Sequence, residues 1–206
     1  MANRTQFTAA EAAFVLREPI RAVKKALDRG PVRSVLRARS RTPVRVIDWA
    51  DLFYLFAVKA LRADLTPKAR GEFHDAVRRV LPRCGDEIRF GRWRVAVADL
   101  VDEVKKRTAE LAEMQGKIKF SADGTAILEP RGVEVYRIAA LLNGGLSVNA
   151  VLEEYPFLSR SAVELARAYA QTRPRPGRPY PRTTANRAIR DIDLDMPEAM
   201  LDDDGG

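Results

Sequence analysis

The sequence predicts a mainly α fold with small β-hairpins, and three observations predict it. Apolar residues recur at helical spacing through most of the chain. Ser, Thr or Asp stands at the start of several of those runs, and Pro or Gly at their ends. Short β-branched runs flank turn-forming stretches between the helices. With 206 residues, 46% of them apolar and 31% charged, the chain can hold one large or two or three small units with real cores. Lys and Arg number 36 against 28 Asp and Glu, a net charge of +8, which favours a polyanionic partner.

One cysteine, Cys84, excludes a disulfide framework. Together with the single histidine, His74, it excludes the usual thiolate and imidazole metal sites. Neither a metal nor a cofactor is expected. No apolar run approaches the ~18 residues of a membrane span. The opening MANRTQFTAAEAAF lacks an apolar signal core, so a cytoplasmic protein is expected. Arginine outnumbers lysine 28 to 8. The codon bias of a GC-rich genome produces such a ratio without any function, so the positions of the arginines matter and not their number.

The elements follow in order. Thr8-Ala9-Ala10-Glu11 is a capping box, with Phe7 before it as a staple, and it predicts a helix to about Arg17. Glu18-Pro19 breaks that helix and opens a second, which Gly30-Pro31 stops near Asp28. Two short helices across a tight break form a helix-turn-helix pattern. In the second, Ile20, Val23 and Leu27 share one face, while Arg21, Lys24, Lys25 and Asp28 share the other. Val32 to Ile47 predicts a hairpin around Arg39–Pro43, carrying Arg33, Arg37, Arg39, Arg41 and Arg45. Five arginines on a hairpin directly after a helix-turn-helix describe a wing. Asp48 caps a helix to about Arg62, and Thr66-Pro67 starts another to Leu81. EIRFGRWRVAV predicts a second hairpin turning at Gly91, followed by a helix from Ala98 to Gln115. Its apolar stripe includes Leu100, Val104 and Leu111, which pack on their own domain or on a second subunit. KIKF-SADG-TAILEP predicts a third hairpin around Asp123-Gly124. Three short helices follow: one through Ile138 to Leu142, one from Leu146-Ser147 to Tyr155-Pro156, and one from Leu158-Ser159 to Arg173-Pro174. Ser161-x-x-Glu164 offers a capping box for the last. From Arg173 the composition changes. Six arginines precede seven carboxylates, with Ile189, Ile192 and Met196 among them. Such a segment is expected to be extended and to order on a partner.

Two resemblances follow from these pieces. The order helix-turn-helix, wing, helix, helix over FTAAEAAFVLREPIRAVKKALDRG and PVRVIDWADLFYLFAVKALRADLTPKARGEFHDAVRRVL resembles the DNA-binding domain of MerR-type regulators. It implies DNA contacts at Arg21, Lys24, Lys25, Arg33, Arg37, Arg39 and Arg41, and a homodimer joined through the long helix at Leu100, Val104 and Leu111. The stretch RGVEVYRIAALLNGGLSVNAVLEEYPFLSRSAVELARAYAQTRP resembles a small prokaryotic antitoxin domain, catalogued as a domain of unknown function and found as VapB-like partners of PIN-like toxins. The matching pieces are Arg131-Gly132-Val133-x-Val135, Gly145-Leu146-Ser147, Val151 to Pro156, Leu158-Ser159 and Ala168-Tyr169-Ala170. The sequence departs from that family in carrying Glu134 where proline is frequent, and in lacking its DPxxxxGKP lead-in.

The domains expected are therefore a winged helix-turn-helix at 1–82, a hairpin and connecting helix at 83–116, an antitoxin-like helical domain at 117–173 and an extended tail at 174–206. The function expected is that of an antitoxin, with no enzymatic activity. It would neutralise a PIN-like ribonuclease and bind operator DNA; the alternative is a free-standing MerR-like regulator without a toxin. The resemblance implies that the toxin's active site is a cluster of acids holding a divalent metal. Arg178, Arg182, Arg187 and Arg190, with Ile189 and Ile192, are the residues expected to engage it, because guanidinium pairs bidentately with carboxylate. The region after Gly177 is expected to be dispensable for folding. His74 reads as a surface or half-buried structural residue and Cys84 as an incidental thiol. Gly144-Gly145 follows a helix, so it is a stop and not a phosphate cradle.

Overall fold

The computed structural model describes residues 6–39, 42–61, 64–81, 86–175, 180–181 and 183. Among these residues the fold is mainly helical, with small antiparallel sheets, and it divides into two units. The first comprises residues up to 117 together with 171–174; the second comprises 118–170 and the described residues from 175 onward. Cys84, Arg41 and the expected toxin-contacting residues Arg178, Arg182, Arg187, Ile189, Arg190 and Ile192 lie outside the described residues.

Strand β1 (Gln6–Thr8) leads directly into helix α1 (Ala9–Leu16). The capping box forms: Thr8 Oγ1 accepts from the Glu11 amide at 3.3 Å, and Glu11 Oε2 accepts from the Thr8 amide at 2.9 Å. Glu11 is wholly buried and also accepts from Gln115 at 3.2 Å. Arg17 ends α1 in the left-handed region at φ 51°. The last carbonyls of α1 are satisfied from distant helices, Val15 by Arg107 at 3.1 Å and Leu16 by Lys59 at 3.4 Å. Both donors are cations at a helix C-terminus, where the helix dipole favours positive charge. This fixes the short break before helix α2 (Ile20–Arg29). Gly30 then ends α2, and a Cβ there would lie 2.6 Å from the Ala26 carbonyl oxygen.

Strands β2 (Val35–Arg39) and β3 (Thr42–Asp48) form the expected hairpin, pairing Val35 with Val46 and Arg39 with Thr42. β1 adds to its other side, giving the order β1-β3-β2. The sequence shows no sign of β1, because three residues cannot display an alternating pattern. Asp48 caps helix α3 (Trp49–Ala60), and Thr66 caps helix α4 (Pro67–Val80). Strands β4 (Glu87–Phe90) and β5 (Trp93–Ala96) pair around Gly91, at φ 51°, and feed helix α5 (Ala98–Gly116).

The core of this unit gathers Phe7, Ile47, Leu52, Phe53 and Phe73 with Ile88, Val104 and Leu111. Two expectations change as a result. The segment 83–116 is not a separate connector, since β4, β5 and α5 supply part of one continuous core. Val104 and Leu111 are buried in that core and Leu100 packs against it, so these three side chains pack on their own domain and do not form an open dimer face. Helix α5 packs against α1 and α3, and sequence spacing alone cannot say which surface a stripe meets.

His74 also departs from expectation. It is buried, at 2% exposure, and its Nε2 lies 2.8 Å from Asp51 Oδ1, itself wholly buried. Arg78 Nη1 lies 3.0 Å from both Asp51 and Asp48, so one cation ties the cap of α3 to α4. Tyr54 packs edge-on against the His74 ring at 4.8 Å, and burial pushes its hydroxyl up to about 12, which keeps it neutral.

In the second unit, strands β6 (Lys119–Phe120), β7 (Ala126–Leu128) and β8 (Val133–Glu134) form a three-stranded sheet in chain order. Its β6–β7 turn is held by Asp123, which accepts from Ser121 and from the Thr125 amide; these bonds keep its carboxyl below the usual range. Helices α6 (Val135–Asn143), α7 (Val148–Glu154) and α8 (Arg160–Thr172) follow. Ser159 caps α8 by accepting from the Ala162 amide at 3.1 Å, so the Ser161 box is not the cap.

Removing Asp51 leaves His74 and Arg78 without their shared buried partner. Asp51→Ala should therefore cost on the order of 3 kcal/mol in urea unfolding, whereas Arg79→Ala on the exposed side of α4 should change stability by less than about 0.5 kcal/mol.

Candidate nucleic-acid interface

Helix α2 buries Val23 and Leu27 and leaves Arg21, Lys24, Lys25, Asp28 and Arg29 exposed. The amphipathic split expected from the spacing is therefore realised. Arg29, one turn beyond Lys25, joins the cationic side; the i, i+4 spacing could have found it. On the hairpin, Arg33 and Arg37 are exposed, and β2 carries the backbone of Arg39 opposite Thr42.

Residues 21–45 contain nine Lys and Arg but one acid, Asp28. That acid is engaged: Arg45, on β3, pairs with its carboxylate. Arg45, expected among the projecting arginines, turns back onto α2. Both partners are more than half exposed, so the pair adds little stability, about 0–1 kcal/mol. Its consequence is geometric and electrostatic. It ties the hairpin to α2 and cancels the only negative charge on the surface they form. Among the described residues, Arg21, Lys24, Lys25, Arg29, Arg33 and Arg37 have no carboxylate partner.

The charge of the chain is unevenly divided. Residues 1–117 carry 25 Lys and Arg against 15 Asp and Glu, and residues 118–170 carry five against six. Positive charge is thus concentrated in the first unit, and within it in α2 and the hairpin. In the second unit, Arg160 of α8 is held by Asn149, while Arg167 is exposed.

The second unit holds a different polar cluster. Glu134 accepts from Arg175 at 3.4 Å and from the Tyr180 hydroxyl. The Arg175 guanidinium lies 4.7 Å from the Tyr180 ring centroid and 5.9 Å from that of Tyr136. Glu134 is the residue that departs from the antitoxin-like pattern, and here it grips the chain that follows α8. Two residues of the expected tail, Arg175 and Tyr180, are thus bonded within the second unit. The sequence gives no sign of this, because the partners stand about 40 residues apart.

Truncation after Gly177 removes Tyr180, so it should lower the stability of the second unit by about 0.5–1.5 kcal/mol, the net worth of a typical hydrogen bond. A chain ending at Thr183 should unfold like the full chain. Glu134→Ala should reproduce the shorter truncation, with thermal unfolding as the measurement.

Residues 122–170, less than half of the chain, match the family model described as a protein of unknown function, DUF433. No curated protein matches the chain in sequence. Among solved structures, the chain is similar to Rv2018 from Mycobacterium tuberculosis, at 14% identity and a TM-score of 0.32, over 78% of this chain and 96% of that one.

Proposed function

We propose that this chain is a DNA-binding antitoxin, which holds operator DNA with α2 and the β2–β3 hairpin and neutralises a PIN-like ribonuclease with the segment beyond Thr183. The observation that supports DNA binding is the excess of nine cations over one paired acid in residues 21–45. A duplex presents one phosphate charge per ~1.7 Å, and neutralising it releases counterions, which drives association at low salt. A helix preceded by a tight turn and followed by a cationic hairpin suits one element to a major groove and the other to the adjoining backbone. The neutralising role is supported by the antitoxin-like pattern over residues 131–170 and by the tail, where arginines and apolar residues alternate before the acids. No helix among the described residues is long and apolar enough to cross a membrane, which accords with a partner in solution.

Two copies on a two-fold operator that neutralise about 6–8 phosphates should give a log–log salt slope of about −5 to −7. Lys24→Ala should make that slope shallower by about 1–2, because each copy loses a phosphate contact. Fluorescence anisotropy with a duplex from upstream of the gene measures both, and a slope near zero contradicts DNA binding.

Coexpression with the neighbouring reading frame tests the other half. The chain ending at Thr183 keeps Tyr180 and its bond to Glu134, so it should fold and bind DNA yet fail to protect cells. Arg187→Glu or Arg190→Glu in the full chain should act in the same direction, since a carboxylate would face the toxin's acids. Equal survival with the truncated chain would place the inhibitory contact in the folded units.

A further inference from the structure

Phosphate contacts leave one feature of the hairpin unexplained. Val35 and Leu36 are 58% and 64% exposed, and with Phe120 they are the large apolar side chains most open to solvent among the described residues. They are adjacent on β2, so strand alternation sends them to opposite faces. Leu36 stands opposite Arg45, on the side tied to α2 through Asp28. Val35 stands opposite Val46, on the side shared with Arg37. β2 is also an edge strand, its outer side unpaired. Two adjacent bare apolar residues on an edge strand invite unwanted pairing unless something covers them.

We propose that Val35 and Leu36 make the salt-independent contact with duplex DNA: the β2 edge lies against the duplex beside the groove that α2 enters, and the two side chains pack on deoxyribose and base edges from either side of that edge. The inference rests on the DNA-binding reading above. Charge selects the occupant: the two side chains sit among Arg33, Arg37 and the cations of α2, where only a polyanion lowers the electrostatic energy. A second copy is disfavoured, because antiparallel pairing of two β2 edges brings Arg37 and its counterpart into neighbouring positions, and like charges there repel. An anionic bilayer fits less well. Val35 and Leu36 are the first two of five residues in β2, at the base of the hairpin next to α2, not at the turn beyond Arg39. A flat surface meets a tip first. A duplex engaged by α2 meets the base. Apolar side chains use such a position to contact sugars, thymine methyls or partly unstacked steps.

The test is the affinity for a duplex of about 30 base pairs, measured by anisotropy over a series of salt concentrations. Val35→Ala with Leu36→Ala should weaken binding about tenfold at every salt concentration, ~1.4 kcal/mol, with the slope unchanged. Lys24→Ala changes the slope, so the two kinds of contact separate. Leu36→Met should retain most of the affinity, and circular dichroism of the double variant should match the parent, because the truncated side chains are exposed. Unaltered affinity in the double variant, beside a steep slope in the parent, overturns this inference and leaves DNA binding standing. A flat slope in the parent overturns both. Tight binding to phosphatidylserine vesicles, lost in the double variant while DNA affinity is unchanged, assigns the pair to a membrane and also overturns it.

Discussion

The carboxylate of Asp51 is the group on which the first unit depends. Wholly buried, it meets His74 from α4 on one oxygen and Arg78 on the other. A lone buried carboxylate would cost several kcal/mol in desolvation, so the charge is tolerable only with both partners in place. That requirement locks α3 against α4 and fixes the end of β3, where Asp48 caps α3 and also pairs with Arg78. Since β3 is the middle strand of its sheet, the hairpin inherits its placement from this junction.

Three other acids of the first unit are also engaged, one buried and two nearer the surface. Glu11 caps α1 from within the core, Glu18 pairs with Lys59 at 2.6 Å, and Asp28 pairs with Arg45. Each carboxylate has a structural task. Among the described residues, Arg21, Lys24, Lys25, Arg29, Arg33 and Arg37 have no carboxylate partner, and they face solvent. A near-neutral second unit and a strongly cationic first unit follow, which divides the labour in the proposed function: one part for a polyanion, the rest for a protein. The bonds from Arg175 and Tyr180 to Glu134 tie the chain that follows α8 to the second unit.

Local signals were legible in the sequence. The caps at Thr8, Asp48 and Thr66, the break at Glu18-Pro19, the turn at Gly91 and the order of the eight helices among the described residues follow from side chains within a few residues of one another. The amphipathic split of α2 followed from spacing alone, and so did the cationic hairpin. What escaped depends on distance along the chain or on very short elements. β1 and β8 have three and two residues, too few for a pattern. His74 and Asp51 stand 23 positions apart, and Arg45 and Asp28 stand 17 apart. Nothing local marks them as partners. The stripe of α5 was visible, but its partner surface was not, because a buried helix and a dimerising helix show the same periodicity. Val35 and Leu36 look in sequence like ordinary β-branched and aliphatic strand residues, and only their exposure distinguishes them.

The claim that joins these observations is that α2 and the β2–β3 hairpin form the DNA-binding surface. Backbone amide shifts of the full chain, recorded by NMR as a duplex of about 30 base pairs is added, test it most directly. Binding there predicts the largest changes in residues 20–46 and small ones in 118–170. Changes concentrated on α7 and α8 would contradict it, as would a spectrum that does not move at low salt.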